Sequence, residues 1–143
     1  MFRKLVEGVY ASPQISLDDV AEAKAMGIGL IVNNRPEGES EDQIPGDEIA
    51  RAAEAAGIGY VAIPVTHAGF SESQVAAMSE ALAAAPGPVL AYCRSGTRST
   101  LLWALAQAKA GKDPAEIATQ AAAAGYDVGP IRQIMDMLAS SAR

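Results

Sequence analysis

VLAYCRSGTRSTLLWALAQA, residues 89–108, reads as a strand, a short loop and an amphipathic helix in immediate succession. The strand part, VLAYC, is almost wholly apolar, as expected of a parallel strand whose sheet is covered by helices on both faces. Working outward, three more short runs read as strands, at 9–11, 30–34 and 60–65. Helical patterns lie between and after them. Ser16 precedes LDDVAEAKAM and Gly27 stops it, residues 47–56 run from a Pro-Gly turn to Gly57, and residues 71–85 carry Ser71 and Ser73 as candidate caps. Three more helices follow, over 97–110, from Asp113-Pro114 onward, and over 130–141, with proline in the first turn where its missing N–H costs nothing. Strands alternating with helices imply parallel pairing through right-handed crossovers. In such sheets ligands bind at the carboxyl ends of strands, where Cys93 lies.

Composition narrows the function classes. The 143 residues are half apolar, one fifth charged and only 5% aromatic, which fits one globular domain spanning 1–143 with a core of Ala, Val, Ile and Leu. The net charge of −6 argues against a nucleic-acid partner, which would need a basic surface to displace counterions. No apolar run approaches the roughly 18 residues that cross a bilayer, so no membrane role is expected. With one cysteine there is no intrachain disulfide, and a cytoplasmic home is the simplest expectation.

The chemistry concentrates in Cys93, Arg94, Ser95, Gly96, Thr97, Arg98 and Ser99. A loop that opens a helix can turn its backbone N–H groups inward around an anion, and the helix start adds roughly half a unit of positive charge. Gly96 permits the curvature, and Arg98 can present its planar fork to an oxyanion. The same field favours thiolate: cysteines in such settings fall from about 8.5 to roughly 3.5–7.5. Ser99 is placed to donate to the sulfur. A cysteine that merely filled the core would have no use for two arginines within five residues. The parts are therefore a nucleophile and a cradle for a small anionic substrate.

Two resemblances follow. Cys-x-x-Gly-x-Arg-Ser after an apolar strand ending in Tyr92 resembles the active-site loop of single-domain rhodaneses, which are sulfurtransferases; NNRPEGE with QIPG also echoes the first half of a rhodanese. The order of elements resembles the tyrosine and dual-specificity phosphatases. Taken together, VYASPQIS, AKAMGIGLIVNNRPEGE, AAGIGYVAIPV and GPVLAYCRSGTRS identify residues 5–110 as similar to the bacterial beta-lactamase hydrolase-like proteins, in their phosphatase-like domain. That resemblance implies an α/β fold of the tyrosine phosphatase type, a central, mainly parallel sheet of about four strands flanked by helices. The active-site loop would lie between the last strand and the following helix. It also brings in a persulfide dioxygenase, to which such a domain is fused in some bacteria, as a separate partner. No cofactor and no metal are expected: the chain has one histidine, and EGESED lacks a calcium-loop pattern.

The phosphatases use Cys-x5-Arg with a histidine before the cysteine. Here four residues separate Cys93 from Arg98, and Tyr92 takes the histidine's place. The stretch 64–72, PVTHAGFSE, where those enzymes carry an acidic proton donor, has no aspartate; His67 and Glu72 are the substitutes on offer. Arg35 ends the second strand and either faces the same pocket or pairs with Glu37, Glu39 or Glu41. Tyr10, Ser12 and Gln14 match the family segment and could serve only to shape a turn, EGESED reads as a solvated loop, and Trp103, Met135, Met137 and Leu138 read as packing residues. Both departures favour sulfur transfer: Cys93 would take a sulfane sulfur from thiosulfate or a glutathione persulfide and pass it to an external acceptor. The alternative is a phosphatase-like hydrolase acting on a phosphoester through a phosphocysteine. A third reading is an anion-binding module without catalysis.

Overall fold

The computed structural model describes residues 1–142. The stretch that decides the fold forms β5 (Val89–Tyr92), a turn, and α4 (Thr97–Lys109). All four residues of β5 are buried, because it is the middle strand of five. The earlier strands are β1 (Arg3–Val6), β2 (Val9–Ser12), β3 (Leu30–Asn33) and β4 (Gly59–Ala62), and the sheet order is β1-β2-β5-β3-β4. β2, β5, β3 and β4 run parallel, with Leu90 between Tyr10 and Ile31, and Ala91 between Ala11 and Val32. β1 is the exception. It pairs antiparallel with β2 through a hairpin whose Gly8 has φ +87°.

The expected count of four strands is therefore corrected to five. RKLV is a short edge strand with two charged residues, so it lacks the apolar run that marks the buried ones. The strand expected at 60–65 ends at Ala62, since Pro64 cannot donate to a ladder.

α1 (Leu17–Ala25) and α2 (Gly46–Ala55) cover one face of the sheet, burying Val20, Ala23, Ile49 and Ala53 against Ile31, Leu90 and Tyr92. Ser16 caps α1 with a reciprocal capping box to Asp19. The other face carries α3 (Glu72–Ala84), α4, α5 (Pro114–Ala123) and α6 (Arg132–Ser141). Ser71 caps α3 through its own capping box, and Asp113 caps α5 ahead of Pro114. α4 is enclosed on nearly every side: Leu102, Trp103 and Ala104 are fully buried in one cluster with Met78, Ile117 and Met135. Met137, expected to pack, is 67% exposed on α6, two residues from each of the buried Met135 and Ala139 and so on the opposite face. Among the described residues no helix is long and apolar enough to cross a membrane.

Candidate active site

Cys93 follows β5 and is completely buried. Its backbone N–H donates to Ser12 O at 3.3 Å, which carries the β2 pairing one residue past the strand. The chain then turns through Arg94 and Ser95, and Arg94 O accepts from Gln14 N at 3.2 Å. Gly96 has φ +93° and starts α4. A side chain there would be strained by that conformation and would collide with the Tyr126 hydroxyl. With the turn so made, Gly96 N–H donates to Cys93 Sγ at 3.1 Å. Ser95 Oγ accepts from Thr97 N–H at 3.3 Å, so that side chain holds the turn together.

Arg98 shows where the site's positive charge comes from. Its Nη1 donates to Glu39 Oε2 at 2.7 Å and to Val65 O at 2.6 Å, and its Nη2 donates to Glu39 Oε1 at 2.9 Å. A guanidinium has five N–H groups in a fixed plane. Those three bonds occupy its end, so the two remaining, on Nε and Nη2, lie parallel along one edge. That edge has the geometry for a bidentate oxyanion. Glu39 foremost, with the Cys93 sulfur also contributing, pushes Arg98 up from its ordinary value, against burial.

Glu39 also accepts from Arg35 Nε at 2.9 Å, while Arg35 Nη1 and Nη2 donate to Gln14 Oε1 and Ser40 Oγ. Arg35, Glu39 and Arg98 thus form a line of two cations about one anion, with side-chain exposures of 4%, 15% and 13%. The line carries one uncompensated positive charge beside Cys93. The Arg98 bonds above all, and those of Arg35 after opposing desolvation, hold the Glu39 carboxyl down at about 2. It stays ionised and cannot serve as a proton donor near neutral pH.

Several expectations change. Ser99 does not donate to the sulfur: its Oγ donates to Asn34 Oδ1 at 2.8 Å, and a hydroxyl has one hydrogen to give. Asn34 in turn donates from Nδ2 to Ile63 O and from its backbone to Tyr92 O, so it ties β3 and the loop after β4 to the start of α4. EGESED is not a solvated loop throughout, since Glu39 lies inside the site. Both alternatives for Arg35 hold in part, for it pairs with Glu39 and thereby reaches Arg98. Arg94, Ser95 and Thr97 are exposed on the rim, whereas Gly96 is buried. His67 and Glu72 are exposed on the 64–72 segment and the first turn of α3, outside the hydrogen-bonded group around Cys93. Gln14 is more than a turn-former because it holds Arg35. Glu39, Asn34 and Tyr126 carry no local signature of a role at Arg98 or Cys93. The one hint was a polar Asn-Asn pair ending an apolar strand. An apolar groove of about 400 Å³ between α3, α4 and α6 shares no lining residue with this loop.

The family described as beta-lactamase hydrolase-like protein, phosphatase-like domain, matches residues 1–110. A beta-lactamase hydrolase-like protein of Xylella fastidiosa is 33% identical over 124 residues, covering 86% of this chain and 29% of that protein. The chain thus spans under a third of the length of the curated relatives it matches. Among solved structures, a candidate phosphatase from Neisseria meningitidis is 36% identical, with a TM-score of 0.84 over 95% of this chain and 96% of that one. The core catalytic domain of a PP-IP phosphatase from S. cerevisiae, in complex with citrate, superposes with a TM-score of 0.72 at 14% identity, over 95% of this chain and 83% of that one. At that identity it shows the fold alone, which is the α/β phosphatase-like fold. The chain belongs to the phosphatase-like domain family of the beta-lactamase hydrolase-like proteins.

Proposed function

We propose that this member of a phosphatase-like domain family is a hydrolase of phosphomonoesters that works through a phosphocysteine on Cys93. The observation that carries the reading is the bond from Gly96 N–H to Cys93 Sγ, with the Arg98 guanidinium near enough for the sulfur to strengthen its hold on its proton. The family and the fold support it over the sulfur transfer that the loop spacing alone favours.

In the first step the Cys93 thiolate attacks phosphorus in line with the ester oxygen. The P–S bond forms, the P–O bond breaks, and the leaving oxygen takes the electron pair. Arg98 and the loop amides hold the equatorial oxygens, where charge gathers in the transition state. Water then attacks the phosphocysteine, the P–S bond breaks, and thiolate and inorganic phosphate result. Glu39 is ionised and hydrogen-bonded to two guanidinium groups, so it has no proton for the leaving oxygen. The substrates that suit such a site are aryl phosphates, whose phenolate leaves without help.

The test is the intact mass of the protein, quenched soon after mixing with an aryl phosphate, alongside phosphate release. One phosphoryl group gained, absent in Cys93→Ser, supports the reading. Steady release of phosphate by Cys93→Ser at the wild-type rate overturns it.

One observation favours a second reading. The spacer of four residues between Cys93 and Arg98 makes a smaller cradle than the five-residue spacer of tyrosine phosphatases, and it suits a sulfur-bearing anion. Under that reading, the Cys93 thiolate takes the sulfane sulfur of thiosulfate or glutathione persulfide as the donor's S–S bond breaks to release sulfite or glutathione, and cyanide removes that sulfur as thiocyanate, restoring the thiolate. The acceptor is external, because a single cysteine cannot resolve its own persulfide. A separate persulfide dioxygenase is a partner of matching chemistry.

A further inference from the structure

Tyr126 follows α5 and lies beyond the residues that the family matches. Its hydroxyl donates to the carbonyl of Ser95 at 3.3 Å. That carbonyl belongs to the same peptide unit as Gly96 N–H, which donates to Cys93 Sγ at 3.1 Å. A trans peptide is planar, with its C=O and N–H pointing in opposite directions. Holding the carbonyl outward therefore turns the amide hydrogen inward. The geometry points to Tyr126 as a positioning residue: its hydroxyl fixes the 95–96 peptide plane so that an amide, and not a carbonyl oxygen, faces Cys93 and the anion above it.

The restraint has to come from outside the loop. Gly96, at φ +93°, is the residue type with the widest backbone freedom, so the peptide before it turns over at low cost. A reversed plane would aim a carbonyl dipole at a thiolate and at a bound oxyanion, which is repulsive for both. A side chain at position 96 cannot supply the stiffness, because its Cβ would collide with the Tyr126 hydroxyl oxygen.

Tyr126 is itself held from two sides. The Arg3 guanidinium lies 5.3 Å from its ring centroid, and Arg3 Nη1 donates to Ala124 O at 3.2 Å. Tyr126 N–H donates to Ala121 O at 2.9 Å, and the residue is 8% exposed. Burial first, and the nearby Cys93 charge as well, push its hydroxyl up against the opposing effect of Arg3, so it remains a donor near neutral pH. The sulfur of Cys93 raises both Arg98 on α4 and Tyr126 after α5, and Glu39 is hydrogen-bonded to Arg98.

The proposal rests on the reading of Cys93 as an anion-handling thiolate, whichever group it transfers. It is tested by titrating the thiolate absorbance of the wild type and Tyr126→Phe, each after subtraction of a Cys93→Ser spectrum. The single cysteine makes that signal belong to Cys93 alone. The loss of one ordered hydrogen bond is expected to move the midpoint upward by about 0.5 to 1 pH unit. With an aryl phosphate, kcat falls about 3- to 10-fold while KM stays within about twofold. A purely structural loss would lower the melting temperature without moving the midpoint. An unchanged midpoint in Tyr126→Phe, under conditions where Arg98→Lys does move it, overturns the proposal. If the wild type does not cleave the aryl phosphate, the phosphatase reading fails and the titration still decides this one.

Discussion

Glu39 neutralises one of two buried guanidinium groups and fixes the end of the other, so its removal has two separable effects. Glu39→Gln keeps the shape but loses the charge that aligns Arg98. Turnover of an aryl phosphate, read as kcat/KM, should fall about 10- to 100-fold, in the range for a misaligned oxyanion donor. The second effect is on stability. The folded carboxyl titrates at about 2, below its ordinary value of 4.5. A depressed carboxyl contributes stability that is fully present above the unfolded value and is lost as pH falls through the folded one. After discounting for water at the rim, the increment is about 1–2 kcal/mol. Urea unfolding between pH 5 and 2 should show the wild type losing it, whereas Glu39→Gln is less stable at pH 5 and flatter across that range. The pairing that makes Glu39 matter joins residues 59 apart in sequence. Local pattern therefore reads EGESED as solvent-facing charge, and only the folded loop brings one of its four acids inward.

At the scale of elements, the turn from β5 into α4 depends on one left-handed residue. Gly96→Ala adds a methyl group to a conformation that costs about 1–2 kcal/mol for an L side chain, and sets it against Tyr126. Its urea midpoint should correspond to a loss of about 2–4 kcal/mol, with phosphate release falling to the level of Cys93→Ser. This turn was legible in sequence: an all-apolar strand, a glycine three residues past the cysteine, and a helix pattern directly after it. The caps at Ser16, Ser71 and Asp113 were legible for the same reason, since each is a short-range hydrogen bond to a residue two or three positions on. β1 was not. RKLV is held as a strand by its hairpin to β2, and a four-residue edge strand that opens with two charges resembles a loop until its partner is in place. Ser99 donates to Asn34 Oδ1 rather than to the sulfur, because Asn34, directly after β3, is brought beside α4 only by the fold.

Across the whole molecule, the family match stops at residue 110, yet the chain beyond it is built into the core. Ile117, Tyr126, Val128, Ile131 and Met135 are all buried in the cluster that encloses α4. At about 1.5–3 kcal/mol per large buried side chain these five contribute of the order of 10 kcal/mol, comparable to the entire stability of an ordinary domain. A chain cut after residue 111 should therefore show no cooperative thermal transition by circular dichroism, despite retaining every residue of the loop. A sharp transition in that fragment would mean that α3 and α4 hold the core without help. The sheet order adds a constraint in time. β5 lies between β2 and β3, so the hairpin and the β3–β4 pair have no edge to join until residues 89–92 fill the gap between them. The strand that delivers Cys93 is the keystone of the sheet, and pairings over such long separations form slowly. On refolding from denaturant, helical signal should return first, and the thiol should gain its surroundings only when the two half-sheets close on β5. A half-made molecule therefore carries its cysteine without the means to use it.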